Sequence, residues 1–570
     1  MRRRAPSMIV LAAVATMALE CNDAGPAVVR LLGAESARLL GAEQGLHVRA
    51  AASAFATARR GSELEREPTG SVELATFAPR RADAERATAR PADDAEPPLP
   101  SVDDALGPGD DDATEPASAA AEPTGDYGPA APTLGSLARE TWIYREPRWS
   151  SRRLGYLRAG AEVRRSPSPV TDQGCPGGWY GVAPRGFVCA GVAATLERGH
   201  PVLELSARRP DMFGLPYTYA MSRVPPPPLY ARLPSLADQR QVEPERDYHV
   251  RKDARLASDA SYVAPPPADP VPDRLRDGAT LPPLAGEWRG DEQRSIGVAA
   301  VRSGFALLAT YQQQDRRFGL TTELALVPLD RTRIVRPSAF RGVALSDEFA
   351  LPIAFVHAHH ARLYRADPRS GVLRPDAELG WREAVALGAG ARSMGGQSYF
   401  ETASGAFVRA EDVTRIDAMR HAPGWAKNGR RWVEVSILRQ ALVAYEGMTP
   451  VYATLVSTGA DGLGDPEKTH STIQGAFLIH TKHVTVTMDG DERGDEFDFS
   501  DVPFVQYFHD GYALHGTYWH DDFGRPRSHG CVNLSPIDAA WLFRWTTPEL
   551  PQAWHAVLQS RGGSVVYVHP

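Results

Sequence analysis

The chain has 570 residues, of which 43% are hydrophobic and 23% charged, so it is long enough for several domains with separate cores. Its net charge of -7 excludes a global electrostatic attraction to nucleic acid, and we expect no nucleic-acid partner. Its 50 glycines and 48 prolines predict many loops, and no internal apolar run approaches the roughly 18 to 20 residues that span a bilayer. We therefore expect a soluble body without a transmembrane span.

Residues 1–21 have the pattern of an export signal. Three arginines, Arg2 to Arg4, precede a short apolar stretch from Met8 to Leu19. Cys21 follows, as in a bacterial lipoprotein signal whose cysteine is acylated, although Glu20 stands where a small residue is usual. A lipid anchor on Cys21 and an ordinary secretory signal are the two alternatives. Both predict export to the periplasm or cell envelope, where disulfides persist.

Residues 22–134 are rich in Ala, Pro, Asp, Glu and Arg and contain few aromatic residues. Such a segment cannot bury enough apolar surface to order itself. We therefore expect a disordered spacer between the export signal and the folded domains.

Two of the four cysteines, Cys175 and Cys189, lie 14 residues apart and flank a predicted hairpin. In an oxidising compartment this spacing favours a disulfide, with metal binding by the two thiols as the alternative. Cys531 would then remain a free thiol.

Residues 135–196 contain the short strand-like runs of a small barrel. The segment from Thr141 to Gly191 resembles a bacterial SH3-like domain through Thr141 to Tyr144, Leu154 to Leu157 and Trp179 to Val188. Domains of that family bind cell-wall glycan or peptide, or space other domains apart. Both roles remain open for this segment.

The middle of the chain carries no catalytic motif. Residues 197–283 are proline-rich and predict a loop-rich layer packed on neighbouring domains, whereas residues 284–419 contain short β-like runs. Val327 to Ile334 is echoed loosely by Val408 to Ile416. A divergent repeat of small β-units and chance similarity both explain this echo.

Residues 430–570 read as a β-rich domain with a reactive cysteine. Its strand-like runs are Trp432 to Ser436, Ala441 to Tyr445 and Val451 to Val456. Farther along, His515 precedes Cys531 by 16 residues. A cysteine nucleophile needs a base for its proton, donors for an oxyanion and surroundings that favour the thiolate.

All three requirements can be met around Cys531. His515 is far enough away in sequence for a loop to return it as the base. Gly530 and Cys531 offer backbone N–H groups, and His529 offers a side chain, to hold an oxyanion.

A helix is predicted directly after this motif. Ser535 is its N-cap, Pro536 its first residue and Asp538 lies in its first turn. Ile537, Trp541 and Leu542 are expected on its buried face. The partial positive charge of the helix start would lie near the thiol and favour the thiolate.

These residues resemble the L,D-transpeptidase (YkuD-type) catalytic domain, whose signature is a histidine followed by Ser-His-Gly-Cys, a hydrophobic residue and Asn. The match is residue for residue from Ser528 to Asn533, with His515 upstream. Further resemblance is carried by Ser457 to Gly459, Gly475 to Phe477 and Thr487 to Gly490. One departure is Thr472-Ile473-Gln474-Gly475, because the family usually has Thr-Pro before this glycine.

The resemblance implies a mainly β, multidomain chain with an SH3-like barrel and a C-terminal L,D-transpeptidase-like β-sandwich with short helices. It also implies peptidoglycan stem peptides as partners and no cofactor or metal. Cys531 would form a thioester with a tetrapeptide stem, release D-alanine and pass the acyl group to an acceptor amine. His515 would be base and then acid, with His529 and Gly530 at the oxyanion. Ser528 and Asn533 would bind substrate or orient the loop.

Other functions compete with this interpretation. Transfer to water would make the chain an L,D-carboxypeptidase, and loss of turnover would leave a wall-binding protein. A zinc site would use the side chains of His515, His520, His529 and Cys531. The papain-like hydrolases are disfavoured because their cysteine precedes the histidine. His509, His520 and His555 are expected to be surface or packing residues.

Overall fold

Strands dominate the structure, a computed structural model. It describes residues 125, 127–287, 295–419, 421, 423–492 and 495–570. Helices are few and short, so the prediction of a mainly β fold is confirmed. The predicted export signal with Cys21, and the predicted spacer as far as residue 124, lie outside the described residues. Within the described ranges, no helix combines the length and the apolar character needed to cross a membrane.

An N-terminal β-domain covers residues 133–195. Its strands are β1 (Thr133–Ser136), β2 (Thr141–Tyr144), β3 (Arg153–Leu157), β4 (Glu162–Arg164), β5 (Trp179–Gly181), β6 (Phe187–Cys189) and β7 (Ala194–Thr195). β1 pairs with β4 and β7, and β2 pairs with β3 and β6. β1 begins inside the predicted spacer because Leu134 is fully buried in the core of this domain. Cys175 and Cys189 form a disulfide here, and the SH3-like assignment stays a prediction.

The proline-rich segment contains helices that its composition did not predict. Its elements are α1 (Pro201–Leu205), β8 (Thr218–Ser222), β9 (Pro228–Tyr230), α2 (Leu236–Val242), α3 (Arg246–Leu256) and a 3-10 segment (Asp273–Gly278). α2 starts where Ser235 and Asp238 cap each other reciprocally, because each side chain accepts the other residue's N–H. Tyr219 and Tyr230 are buried in the core below it.

The β-rich middle region continues to residue 416. Its strands are β10 (Ser295–Val298), β11 (Gly304–Gln313), β12 (Arg316–Thr321), β13 (Leu326–Pro328), β14 (Thr332–Ile334), β15 (Val343–Ala344), β16 (Ile353–Val356), β17 (Arg362–Ala366), β18 (Leu373–Glu378), β19 (Ala384–Met394), β20 (Gln397–Thr402), β21 (Phe407–Arg409) and β22 (Val413–Ile416). Short 3-10 segments, Leu329–Arg331 and Ala410–Asp412, precede β14 and β22.

Two β-units in this region share one order of elements. The first β-unit consists of β8 and β11 to β14, and the second consists of β16 and β19 to β22. In each, the opening strand pairs antiparallel with the second strand and with the last one. Thr321 and Thr402 occupy equivalent turns, where their hydroxyls accept the N–H of Ala325 and Ala406 at 3.1 Å. The sequence echo therefore falls on matching elements, which favours a repeat over chance similarity.

The C-terminal domain is a pair of packed sheets. Its elements are β23 (Arg431–Ser436), β24 (Ala441–Glu446), β25 (Thr449–Leu455), β26 (Gly475–Leu478), β27 (Thr481–Glu492), β28 (Asp495–His509), β29 (Tyr512–Gly516), β30 (Val532–Leu534), α4 (Pro536–Trp545), β31 (Ala556–Leu558) and β32 (Val565–His569). One sheet has the order β15-β25-β24-β23-β32-β26, and the other contains β27 to β31. Apolar residues of both sheets meet in one core with α4.

α4 begins as its cap residues predict but buries a different face. Ser535 accepts the N–H of Asp538 at 3.1 Å, and Pro536 is the first helical residue. Leu542 is buried as expected, whereas Ile537 and Trp541 are only half-buried. Trp541 lies over the ring of Tyr452, with 4.1 Å between ring centroids, and so covers the edge of the core.

Candidate active site

Cys531 directly precedes β30, which runs parallel to β29 in the second sheet of the C-terminal domain. The register pairs His515 with Asn533 and Leu514 with Val532. Because residues in register on neighbouring strands share a face, His515 and Asn533 lie on the same face of the sheet, and Cys531 is two residues before Asn533. The Cys531 thiol is half-buried, and its Sγ donates to the Gly511 carbonyl at 3.6 Å.

His515 is held as a neutral imidazole with a defined tautomer. Its Nδ1 lies 3.0 Å from the Gly516 carbonyl oxygen, which can only accept, so Nδ1 carries the hydrogen. Nε2 therefore keeps its lone pair. Burial lowers the pKa of His515 to about 4, against the smaller opposing effect of the Gly516 bond. The ring is thus an available base at neutral pH.

Gly530 needs its glycine conformation and its lack of a side chain. Its φ is +128°, and a Cβ would lie 2.8 Å from the Tyr512 ring. The Gly530 N–H donates to Ser528 Oγ at 3.1 Å, and Ser528 Oγ donates to the Cys531 carbonyl. The Gly530 N–H is thus already donated to Ser528, and the role of Gly530 at an oxyanion stays a prediction.

Thr472 fixes the same loop from the other side. Its hydroxyl donates to the Gly530 carbonyl at 2.7 Å and accepts the Gly459 N–H at 2.9 Å. Thr472 therefore holds the loop by hydrogen bonds at the position where the sequence differs from the usual Thr-Pro of the family signature. The role of this threonine was not foreseen, although its segment was singled out in the sequence.

His529 is exposed beside Cys531 in the sequence and is packed between two rings. It is stacked on Phe497 at 5.4 Å and makes an edge contact with His470 at 4.6 Å, both between ring centroids. Phe497 lies on β28, near the tip of its hairpin with β27. Nothing in the local sequence pointed to Phe497 as a neighbour of the site.

Asn533 is paired with His520, which was expected to be a surface or packing residue. The Asn533 amide and His520 Nε2 lie 2.9 Å apart, and His520 Nδ1 accepts the Asp522 N–H at 3.2 Å. Burial lowers the pKa of His520 to about 4, so its single hydrogen lies on Nε2. His520 then donates to the Asn533 amide oxygen, the orientation that also satisfies this otherwise unpartnered buried oxygen.

A residue of the second β-unit anchors the loop that carries His520. Arg382 donates to the Asp521 carboxylate at 2.6 Å and also to the Asp521 carbonyl. Ser338 donates to the same carboxylate at 2.6 Å. The Arg382 guanidinium lies 3.7 Å from the Trp381 ring centroid. The middle region therefore contributes to the position of the site.

The remaining predicted residues lie as follows. His555 is buried and close to Thr485, with 2.9 Å between His555 Nε2 and Thr485 Oγ1, away from Cys531. His509 is only partly buried and packs against Phe477. Among the described residues, no three His, Cys, Asp or Glu side chains are grouped as a metal site requires.

Comparison with known proteins assigns the C-terminal domain. Residues 430–567 match the family model of the L,D-transpeptidase catalytic domain. YciB of Bacillus subtilis, which is assigned to the L,D-transpeptidases, is 24% identical over 165 residues, covering 24% of this chain and 73% of its own length.

Solved structures with similarity include three L,D-transpeptidases. The Enterococcus faecium enzyme is 20% identical, covering 25% of this chain and 50% of its own, with a TM-score of 0.19. The Xylanimonas cellulosilytica enzyme is 23% identical over 27% of this chain and 64% of its own, with a TM-score of 0.19. The Mycobacterium smegmatis enzyme is 17% identical over 42% of this chain and 89% of its own, with a TM-score of 0.20. The part of the chain that contains Cys531, residues 430–567, thus matches the family model of the L,D-transpeptidase catalytic domain.

Proposed function

We propose that the chain is a cysteine-dependent L,D-transpeptidase that crosslinks peptidoglycan stem peptides. The observation that carries this proposal is the β29–β30 register, which pairs a neutral His515 with Asn533, two residues after Cys531. The proposal includes export to the periplasm or cell envelope, with or without a lipid anchor on Cys21.

The first half-reaction forms a thioester. Cys531 Sγ bonds to the stem carbonyl that precedes the terminal D-alanine, while His515 Nε2 takes the thiol proton. The Cys531 N–H and the His529 ring would hold the oxyanion. The carbonyl–nitrogen bond then breaks, and His515 returns the proton to the leaving amine of D-alanine.

The second half-reaction transfers the acyl group. An amine of a second stem peptide bonds to the thioester carbonyl, His515 accepts the amine proton, and the sulfur leaves and is reprotonated. Water in place of the amine gives the carboxypeptidase. Ser528 and Thr472 would keep the Gly530 turn fixed through both halves, because each bonds one side of that residue.

Intact-protein mass spectrometry tests the proposal. The full mature chain is incubated with a tetrapeptide stem, with and without an acceptor amine, beside Cys531→Ala. We expect an adduct that lacks the mass of D-alanine, maps to Cys531 and is absent from the variant. Its resolution into a crosslinked product supports a transpeptidase, and resolution by water alone supports a carboxypeptidase.

Two controls make a negative result informative. His515→Gln should slow both the adduct and the alkylation of Cys531 by iodoacetamide, whereas His357→Gln, an exposed histidine of the second β-unit, should change neither. A folded chain that forms no adduct contradicts the mechanism and favours a wall-binding protein. A Cys531→Ala variant that still turns over contradicts Cys531 as the nucleophile.

A further inference from the structure

A cavity of about 1030 Å³ opens where the N-terminal β-domain, the segment after α1 and the segment before β31 meet. Its volume is slightly above the range of sites for small organic molecules, about 300 to 1,000 Å³. Cys531, His515 and His529 are not among its lining residues. It is therefore a site separate from the candidate active site.

The charge of the cavity wall is opposite to the charge of the chain. Four arginines and one acidic residue, Glu162, line it, although the chain as a whole carries -7. Arg158 is neutralised by buried ion pairs with Asp501 and Glu323. Arg208 and Arg209 are exposed, and among the described residues no carboxylate pairs with either of them. Arg208 and Arg209 are therefore cationic groups of the wall with no carboxylate partner among the described residues, although Arg208 also donates to the Leu308 carbonyl at 3.2 Å.

Two hydroxyl-bearing residues add to these arginines. Ser206 is 5% exposed, and its hydroxyl has no hydrogen-bond partner within the described part of the chain. A buried hydroxyl without a partner is unfavourable, so an incoming acceptor would be stabilising there. Tyr217 is 7% exposed. Burial raises its pKa, and Arg208 and Arg209 lie near enough to oppose that shift.

We propose that this cavity binds an oxyanion, a carboxylate or phosphate group carried by an organic molecule. Arg208 and Arg209 provide guanidinium donors that match either group, and Ser206 and Tyr217 provide neutral hydroxyl donors. Apolar residues of the wall, including Met212 and Leu550, contact the remainder of the ligand. This binding site goes beyond the proposed transpeptidase activity and does not depend on it.

Isothermal titration calorimetry of the full chain at constant low ionic strength tests the proposal. The probes are inorganic phosphate and N-acetylmuramic acid, which carries a carboxylate on a sugar. We expect saturable binding of at least one probe, weakened about tenfold or more in Arg208→Met/Arg209→Met through the loss of charge-assisted hydrogen bonds. Tighter phosphate binding indicates a phosphate-bearing ligand, and tighter muramate binding indicates a carboxylated one.

Matched variants separate the site from general charge effects. Arg198→Met removes an exposed arginine that does not line the cavity and should leave binding unchanged. Ser206→Ala should weaken binding several-fold. Binding of neither probe by the folded wild-type chain overturns the proposal, as does equal weakening by Arg198→Met. The alkylation rate of Cys531, measured in parallel, should be the same in every variant.

Discussion

The two β-units have the same order of elements, yet they contact the C-terminal domain through different chemistry. The first is joined to it at Asp501, which is fully buried and accepts hydrogen bonds from Thr322 and Thr485 at 2.5 Å and from Arg158 at 2.9 Å. The second is joined at Asp521, whose side chain is 50% exposed, through Arg382.

We expect this difference in burial to separate their roles, with Asp501 acting mainly on the fold and Asp521 mainly on the loop of the site. A buried carboxylate shared by three regions has a large effect on stability, because its removal leaves buried polar partners undercompensated. A half-exposed carboxylate is screened by water, so its main effect is on the position of the loop it holds. The predictions below separate these two roles.

Asp501→Ala should have the largest effect. Removing this carboxylate leaves Arg158 buried and undercompensated, which should cost about 3 to 5 kcal/mol of the free energy of unfolding. The urea midpoint measures this loss. Asp376→Ala, which breaks the exposed pair with Arg365, is the matched control and should cost less than about 1 kcal/mol. Equal losses in both variants would contradict the role of Asp501 as a buried hub.

Arg382→Met should impair the site more than the fold. Without the anchor at Asp521, His520 and Asn533 lose their fixed position beside Cys531, and we expect kcat/KM to fall about tenfold to a hundredfold. Alkylation of Cys531 by iodoacetamide, and its dependence on pH, reports the change without a substrate. Arg392→Met is the control, because Arg392 lies in the same β-unit but contacts Gly371 and Phe407. A lower urea midpoint with unaltered alkylation would show a merely structural role.

Stability should fall in mild acid because the C-terminal domain buries neutral histidines. Burial lowers the pKa of His483, His515 and His520 to about 4 each. Between about pH 6.5 and 4, the unfolded chain therefore binds more protons than the folded chain. The contribution of these histidines to stability is complete above about pH 6.5 and is lost as the pH falls towards 4. In the His483→Gln variant, the urea midpoint should change less between pH 7 and 5 than in the unsubstituted chain. His357→Gln, exposed in the second β-unit, should leave the profile unchanged.

The smallest effects should come from the equivalent turns of the two β-units. Thr321→Val and Thr402→Val each remove one hydroxyl that accepts a turn N–H, which should cost about 1 kcal/mol in each unit. Urea unfolding of each variant measures the loss in its free energy of unfolding. A substantial cost in one unit and none in the other would argue that the two units are not structural equivalents.

The local sequence was sufficient to predict those parts of the site that are built by residues close together in the chain. The Ser528 to Asn533 motif and the Ser535 cap are short-range patterns, and the strand-like runs at the start of the C-terminal domain coincide with β23 to β25. The helices of the proline-rich segment were missed, because capping by Ser235 and Asp238 outweighed the composition of the segment around them.

By itself, the sequence predicted the strand-rich composition, Cys531 and His515 as candidate nucleophile and base, and the cap that starts α4, because each prediction depends on residues close together in the chain. Tertiary structure alone decided which side chains surround them. Arg382 reaches Asp521 across 139 positions, and Arg158 reaches Asp501 across 343. The physical reason is that burial and pairing depend on how sheets pack, and packing brings together residues that share no local pattern.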